Sequence, residues 1–271
     1  MLRQKNIVSY FNARYGGALE ELDFLPRPAN LVCTLQRRPE PYHCLVHQNG
    51  SSSANGAVMS VHEMLGSKDK DLAAHLQYDR FRRLCFLDHF FEHEITRGAF
   101  QESRYEDSGD FVAAGVAARR VDGGISFERR GRLKLGGKVC ALDLKKFVLA
   151  QGDGTLQVTY RFYNPGKTLL RFVFAPEFNF SIGDRQALEG IDVSLVKQHL
   201  FSDSWRGIQI LFESDNAGRL LTAPVETVSG SEGGLEKTCQ QLAVLFQKGL
   251  AIGPAACQTL TLKLDVKEGP A

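Results

Sequence analysis

Several segments of the chain alternate apolar and polar residues with a period of two, which is the pattern of a strand with one buried face. The clearest alternations cover residues 156–162, 208–212 and 260–266. Asp122-Gly123 and Asp153-Gly154 each separate two strand-like segments. Asp-Gly favours tight hairpin turns because it tolerates positive φ. The pattern therefore predicts antiparallel strands joined by hairpins.

One stretch, residues 67–76, looks helical, with a Ser or Asp N-cap, acidic residues in the first turn and helix formers after them. The chain contains 18 Phe and 26 Gly but 3 Met, which is typical of aromatic-filled sheets with many turns. We therefore expect an all-β fold with one short helix, a large antiparallel β-sandwich. It is predicted to form a single domain over residues 1–271, with a frayed tail from about 267 to 271.

Charge and hydropathy exclude several classes of partner. The 33 basic and 31 acidic residues leave a net charge of +2, without the clustered basic face that nucleic-acid binding needs. The apolar runs fall short of the roughly 20 residues that span a bilayer, and no signal-peptide core follows the start. The six cysteines include no Cys-x-x-Cys pair. We expect a cytoplasmic protein with reduced, mostly buried thiols and no cofactor.

The segment 89–93 reads His-Phe-Phe-Glu-His, which fits the His-x-x-Glu-His pattern of inverted zinc proteases. That chemistry requires a helix, because only there do His89 and His93 lie one above the other. On a strand they would be about 13 Å apart, too far to share one metal ion. The aromatic residues favour a strand, and we predict no metal site.

Three other features are candidates for carbohydrate contacts. Glu177 and Asn179 share one face of a strand, where an acid and an amide suit sugar hydroxyls, although the solvent face of a sheet has the same pattern. The segment 37–43 combines two arginines, an acid, an aromatic ring and an imidazole. It is consistent with either a surface ion-pair cluster or a ligand site. Trp205, the only tryptophan, is either a sugar-stacking platform or a core residue.

Seven segments in order resemble the C-terminal β-domain of family 57 glycoside hydrolases, of the α-amylase/4-α-glucanotransferase type. The resemblance extends from about residue 2 to 266 and depends on residues 15–23, 30–31, 37–43, 78–83, 87–90, 109–111 and 224–236. It implies a fold like that of galactose mutarotases, a supersandwich. It also implies that a separate catalytic barrel carries the glutamate nucleophile and the aspartate acid. No residue of this chain matches either catalytic position, so we expect no catalytic residue here.

Three hypotheses follow from these observations. The first is an accessory domain that packs on a catalytic barrel of the same enzyme and contacts an α-glucan or oligosaccharide. The second is a free-standing mutarotase-like enzyme with a His and Glu177 as its acid/base pair. The third is a packing module with an exposed apolar docking patch. The candidate carbohydrate-binding residues are Arg37, Arg38, Tyr42, His43, His89, Glu177, Asn179, Trp205 and Glu226.

Overall fold

The computed structural model describes residues 1–48, 72–183, 189–231 and 234–270. Its strands, in chain order, are β1 Leu2–Arg3, β2 Ile7–Asn12, β3 Ala18–Phe24, β4 Ala29–Asn30, β5 Leu87–Phe91, β6 Ala117–Val121, β7 Gly124–Leu135, β8 Lys138–Gln151, β9 Thr155–Tyr163, β10 Leu170–Phe180, β11 Asp192–Asp203, β12 Ile208–Ser231, β13 Gly234–Ile252 and β14 Cys257–Glu268. Two short α-helices, α1 His43–Gln48 and α2 Arg97–Gln101, complete the regular structure of these described residues together with a 3-10 turn at Leu72–His75. The predicted all-β class is confirmed.

Two antiparallel sheets contain these strands. Strands β1 to β4 form a small sheet in chain order, and the large sheet has the order β5-β10-β13-β12-β14-β9-β8-β7-β6. Strand β11 pairs with β12 alone among the described strands. Strand β12 is long enough to pair with β14 over its first part, Ile208 to Ser214, and with β13 from Arg219 onward. The large sheet therefore continues through β12 from one layer of the sandwich to the other.

The main core lies between these two layers and is rich in aromatic rings. Phe174 of β10 contacts Tyr160 and Phe162 of β9, with ring centroids 4.7 and 4.8 Å apart. Phe178 of β10 contacts Phe212 of β12 at 5.6 Å. These rings belong to the alternating apolar positions of their strands, so the alternation in the sequence does mark the faces that meet in the core.

A second, smaller core covers the outer face of the β5-β10-β13-β12 layer. Phe91, Phe100, Val173 and Ala175 are buried there with residues of β12 and β13, and Tyr105 packs against them. Helix α2 and the segment that follows it supply this cover. Strand β10 is consequently buried on both faces.

The predicted hairpins are confirmed. Residues 122–123 connect β6 to β7, and Gly123 has a φ of +68°, the left-handed conformation that an Asp-Gly turn accommodates. Residues 152–154 connect β8 to β9, with Gln151 paired to Thr155. The alternating segments 156–162, 208–212 and 260–266 lie in β9, β12 and β14, respectively.

Three local predictions differ from the structure. Of the predicted helix 67–76, residues 67–71 lie outside the described residues, and Leu72–His75 form only a 3-10 turn. The tail begins later than predicted, because β14 extends to Glu268. The expectation of mostly buried thiols was wrong: all six cysteines are free, only Cys85 is buried, Cys140 is half-buried, and four are exposed. The four exposed cysteines are Cys33, Cys44, Cys239 and Cys257. Within the described part of the chain, no helix has both the length and the apolar character needed to cross a membrane.

Candidate functional site

The pairing of β5 with β10 positions the most polar part of the interior. His89 lies opposite Ala175, and Leu87 lies opposite Glu177. His89 and Glu177 therefore point to the outer face of the sheet, whereas Asp88 points to the other face. There the Asp88 carboxylate lies 2.6 Å from the buried Lys146 ammonium. The prediction that Asp88 and His89 point to opposite faces of their strand is confirmed.

His89 lies between two carboxylates. Its Nδ1 is 2.8 Å from Oδ2 of Asp107, and its Nε2 is 3.1 Å from Oε2 of Glu177. The other Asp107 oxygen accepts the backbone N–H groups of Phe90 and Gly109. A neutral imidazole carries only one N–H, so only the imidazolium can donate to both carboxylates.

Arginines continue this network away from His89. Oδ1 of Asp79 accepts hydrogen bonds from the guanidinium groups of Arg37 and Arg83, each at 2.6 Å. Arg83 also approaches Oε1 of Glu177 at 3.4 Å, and Ser103 donates to Asp79 at 3.1 Å. None of the charged side chains is more than 5% exposed. Together with His89 and Asp107, the network sets three cations against three carboxylates.

The neighbouring charges shift the pKa values in the directions that keep these groups ionised. Burial alone would lower the pKa of His89, but the hydrogen bonds to Asp107 and Glu177 outweigh it and raise that pKa from 6.5 to about 9. Burial alone would raise the pKa of Asp79, but Arg83 and Arg37 outweigh it and lower the pKa to about 2. The pKa of Glu177 is lowered in the same way, chiefly by His89 and then by Arg83.

This network is closed to solvent, which corrects part of the predicted site. Glu177 and Asn179 are 3% and 0% exposed, so the expectation that they lie on an exposed sheet face was wrong. Arg37 is also buried, so segment 37–43 is not only a surface ion-pair cluster. The acid/base pair of the mutarotase hypothesis does come together as His89 and Glu177. Within the described part of the chain, the pair is buried beneath the second core, with His89 and Glu177 0% and 3% exposed.

An open pocket of about 170 Å³ lies beside the network, between residues 35–43, residues 75–77 and the facing parts of β12 and β13. We call it the loop pocket. Arg37, Arg38, Tyr42 and His43 line it, and they come from the candidate segment 37–43. His75, also in its wall, bonds to the candidate Glu226 at 3.2 Å, and Glu226 is held from its other oxygen by Lys237 at 3.0 Å.

Trp205 belongs to neither the buried network nor the lining of the loop pocket. It lies in the turn between β11 and β12 and is 81% exposed, so a core position is excluded. The guanidinium of Arg206 lies 5.9 Å from its ring centroid. The carbohydrate-contact roles of all nine candidate residues stay predictions.

The His-x-x-Glu-His segment does not form the helix that a zinc protease needs. His89 belongs to strand β5, and His93 is exposed beyond the end of that strand. Within residues 1–48, 72–183, 189–231 and 234–270, no group of three or more His, Cys, Asp or Glu side chains is arranged to hold a metal ion.

Sequence reasoning missed three members of the buried network: Asp79, Arg83 and Asp107. Asp79 and Arg83 were noted only as part of the family resemblance, although they are four residues apart and form an ion pair. Asp107-Ser108-Gly109 has the signature of a side-chain-to-backbone turn, and the structure contains that bond. Neither signal in the sequence shows which strand these residues pack against.

The fold and the buried network define the class of protein: an antiparallel β-supersandwich whose interior contains polar groups that are closed to solvent. A galactose mutarotase-like protein from Clostridium acetobutylicum has this fold, with a TM-score of 0.54 and 9% sequence identity over 98% of this chain and 94% of its own. The 4-α-glucanotransferase from Thermococcus litoralis is more similar in structure. It matches with a TM-score of 0.80 and 18% identity over 98% of this chain but 37% of its own.

A family model described as alpha-amylase/4-alpha-glucanotransferase, C-terminal, matches residues 1–252. The chain belongs to this family, and the resemblance seen in the sequence is confirmed. An α-amylase from Pyrococcus abyssi is 27% identical over 234 residues, which cover 86% of this chain and 34% of that protein. The chain thus spans about a third of the length of the curated relatives that it matches.

Proposed function

We propose that this chain is an accessory β-domain of an α-glucan-processing enzyme of the α-amylase/4-α-glucanotransferase type. One observation carries the proposal: the family match covers nearly the whole chain, yet the chain corresponds to about a third of each relative. In the proposed arrangement, a separate catalytic region performs the chemistry on the glucan. The β-domain packs on that region and contributes contacts to the polymer.

The edge of β11 supports the packing role. Strand β11 pairs only with β12 among the described strands, so its other edge carries backbone groups without strand partners. Exposed apolar side chains follow this edge and its turn: Val193, Leu195, Leu200 and Trp205. Leu195 and Trp205 are 84% and 81% exposed. We call these four residues the β11 patch and assign the catalytic region as its occupant, because apolar lines of this kind mark interfaces.

The sealed network supports an accessory rather than a catalytic role. A glycosidase of the retaining class needs two carboxyl groups about 5–5.5 Å apart on either side of a sugar. Glu177 is buried and bonded to His89 and Arg83, so it is closed off from any substrate. Glu226 is bonded to both His75 and Lys237. In this proposal both glutamates position neighbouring groups.

The experiment measures Trp205 fluorescence while the purified chain is titrated with the catalytic region of the proposed enzyme, which is produced as a separate polypeptide. Trp205 is the only tryptophan of this chain and is exposed. When the tryptophans of the partner have been replaced, the fluorescence therefore reports on the β11 patch. We expect a blue shift and co-elution in size-exclusion chromatography. Leu195→Asp should abolish both, whereas Val139→Asp, at another exposed apolar position on β8, should not.

Activity assays complete the test. We expect neither starch breakdown nor glucan transfer from the isolated chain, and no acceleration of glucose mutarotation in polarimetry. Turnover by the isolated chain that is lost in Glu226→Gln would overturn the proposal. The cytoplasmic location and the single-domain organisation of residues 1–271 stay predictions.

A further inference from the structure

The loop pocket has features of a sugar site that the packing role does not require. We propose that it binds one glucosyl unit of an α-glucan chain. This inference rests on the proposed function for its ligand class, and it assigns the contact to a surface different from the β11 patch. The argument depends on the pocket's size, its polar groups and its rigidity.

The size suits a small ring. The volume of about 170 Å³ is well below that of a pocket for a drug-sized ligand. Pockets for larger ligands usually measure roughly 300 Å³ or more. The remaining units of a polymer would therefore continue along the open side of the pocket.

A β-bulge places an amide in the pocket. Val225 pairs with Gln241 and Glu226 pairs with Cys239, so Gln240 is the additional residue on β13. Bulges of this kind redirect one side chain and are common beside functional sites. Here the Gln240 amide lies in the pocket wall.

The amide is part of a row of neutral polar groups. Nε2 of Gln240 donates to Oγ1 of Thr227 at 3.2 Å, and the hydroxyls of Thr227 and Ser229 are 3.4 Å apart. All three residues line the pocket. Amides and hydroxyls both donate and accept, which is what sugar hydroxyls require of their partners.

The facing wall is an imidazole whose tautomer is fixed. Nε2 of His43 lies 3.2 Å from the carbonyl oxygen of Val228, which can only accept, so this nitrogen carries the proton. Nδ1 accepts the backbone N–H of Glu40 at 3.1 Å and lies 3.2 Å from the Tyr78 hydroxyl. The Tyr42 ring meets the imidazole edge to face at 4.8 Å. The pocket thus combines an aromatic surface with a row of hydroxyl and amide groups.

The loop that carries this wall is anchored at its start by two contacts. The backbone N–H of Leu35 donates to the buried Gln241 side chain at 2.7 Å, and Arg37 is held by Asp79 of the buried network. A site that is rigid before its ligand arrives loses less conformational entropy on binding. The buried ions therefore have a second consequence: they hold one wall of the pocket in position.

The test is maltotriose binding by the complete chain, followed by isothermal titration calorimetry and by amide chemical shifts in NMR. We expect millimolar affinity, with shifts confined to residues of the loop pocket. The double variant Gln240→Ala/Ser229→Ala should bind roughly tenfold more weakly, because it removes two hydrogen-bonding groups from the wall. Thr261→Ala is the matched control, since its hydroxyl forms a similar cross-strand pair with Thr159 on another part of the sheet.

Several outcomes would overturn this inference. They are absence of maltotriose binding at millimolar sugar, unchanged affinity in the double variant, and shifts centred on the β11 patch. Equal affinity for cellotriose would overturn the assignment to α-glucans. None of these results affects the association with a catalytic region, which the Trp205 titration measures separately, so the two proposals can fail independently.

Discussion

The proton on His89 links the stability of the fold to pH. The pKa of this imidazole is raised from 6.5 to about 9, so the folded protein binds the proton more tightly than the unfolded chain does. The difference between these values corresponds to roughly 3 kcal/mol of stability. That contribution is complete well below pH 6.5 and is lost as the pH rises towards 9. Between pH 6.5 and 8.5 the free energy of unfolding should fall by roughly 2 kcal/mol.

The variant that tests the cause is Asp107→Asn. It keeps an oxygen for the backbone N–H groups of Phe90 and Gly109 but removes one of the two charges that face His89. The imidazole can then be neutral, with Nδ1 accepting from the new amide. We therefore expect the decline in stability between pH 6.5 and 8.5 to become much shallower in this variant, whatever its stability at pH 6.

The assay is urea unfolding followed by far-UV circular dichroism at intervals from pH 6 to 8.5. The upper limit matters, because burial raises the pKa of the Cys85 thiol above its usual 9, and ionisation of that thiol in the unfolded chain adds its own pH dependence at higher pH. His93→Gln is the control, since His93 is exposed beyond the end of β5. A flat profile in the parent chain, or an equally steep one in Asp107→Asn, would refute the reasoning. NMR titration of the His89 ring gives a direct second measurement.

Three further substitutions probe the packing, and each is measured by urea unfolding. Arg83→Met should lower the free energy of unfolding by about 3–5 kcal/mol because it leaves buried carboxylates without their cation. Arg130→Met, at a highly exposed position, should change it by less than about 0.5 kcal/mol. Similar effects from both substitutions would contradict the network's role. Phe174→Ala should cost about 3–5 kcal/mol through the cavity it opens between the layers, and a loss below about 1 kcal/mol would contradict the assigned core. Gly131→Ala should destabilise because the added Cβ would lie 2.4 Å from the Phe111 ring, so a neutral result would contradict the close approach.

The strands that the sequence predicts best are those with one buried face. In β9 and β14, apolar residues alternate with residues that are partly exposed, so the pattern in the sequence and the pattern of burial coincide. Residues 177–180 of β10 have the same alternation of residue types, but the polar face there is covered by another segment. Glu177 and Asn179 therefore resemble solvent-facing residues in the sequence and are buried in the structure.

The candidate site was harder to predict for the same reason. Arg83 and Glu177 are 94 residues apart in the chain, and His89 and Glu177 are 88 apart. Charge pairs at such separations leave no periodic signal, because their meeting depends on how a loop crosses a strand. Trp205 is a further example: its place in a turn, and not its residue type, sets its exposure.

The position of β14 in the large sheet has a consequence for biosynthesis. This strand follows all the other described strands, yet it lies in the interior of the sheet, hydrogen-bonded to β12 on one side and β9 on the other. A ribosome must therefore deliver residues 257–268 before the β9-β8-β7-β6 half can be hydrogen-bonded to the rest of the large sheet. Until then the nascent polypeptide presents two open strand edges, a state that favours aggregation and chaperone capture.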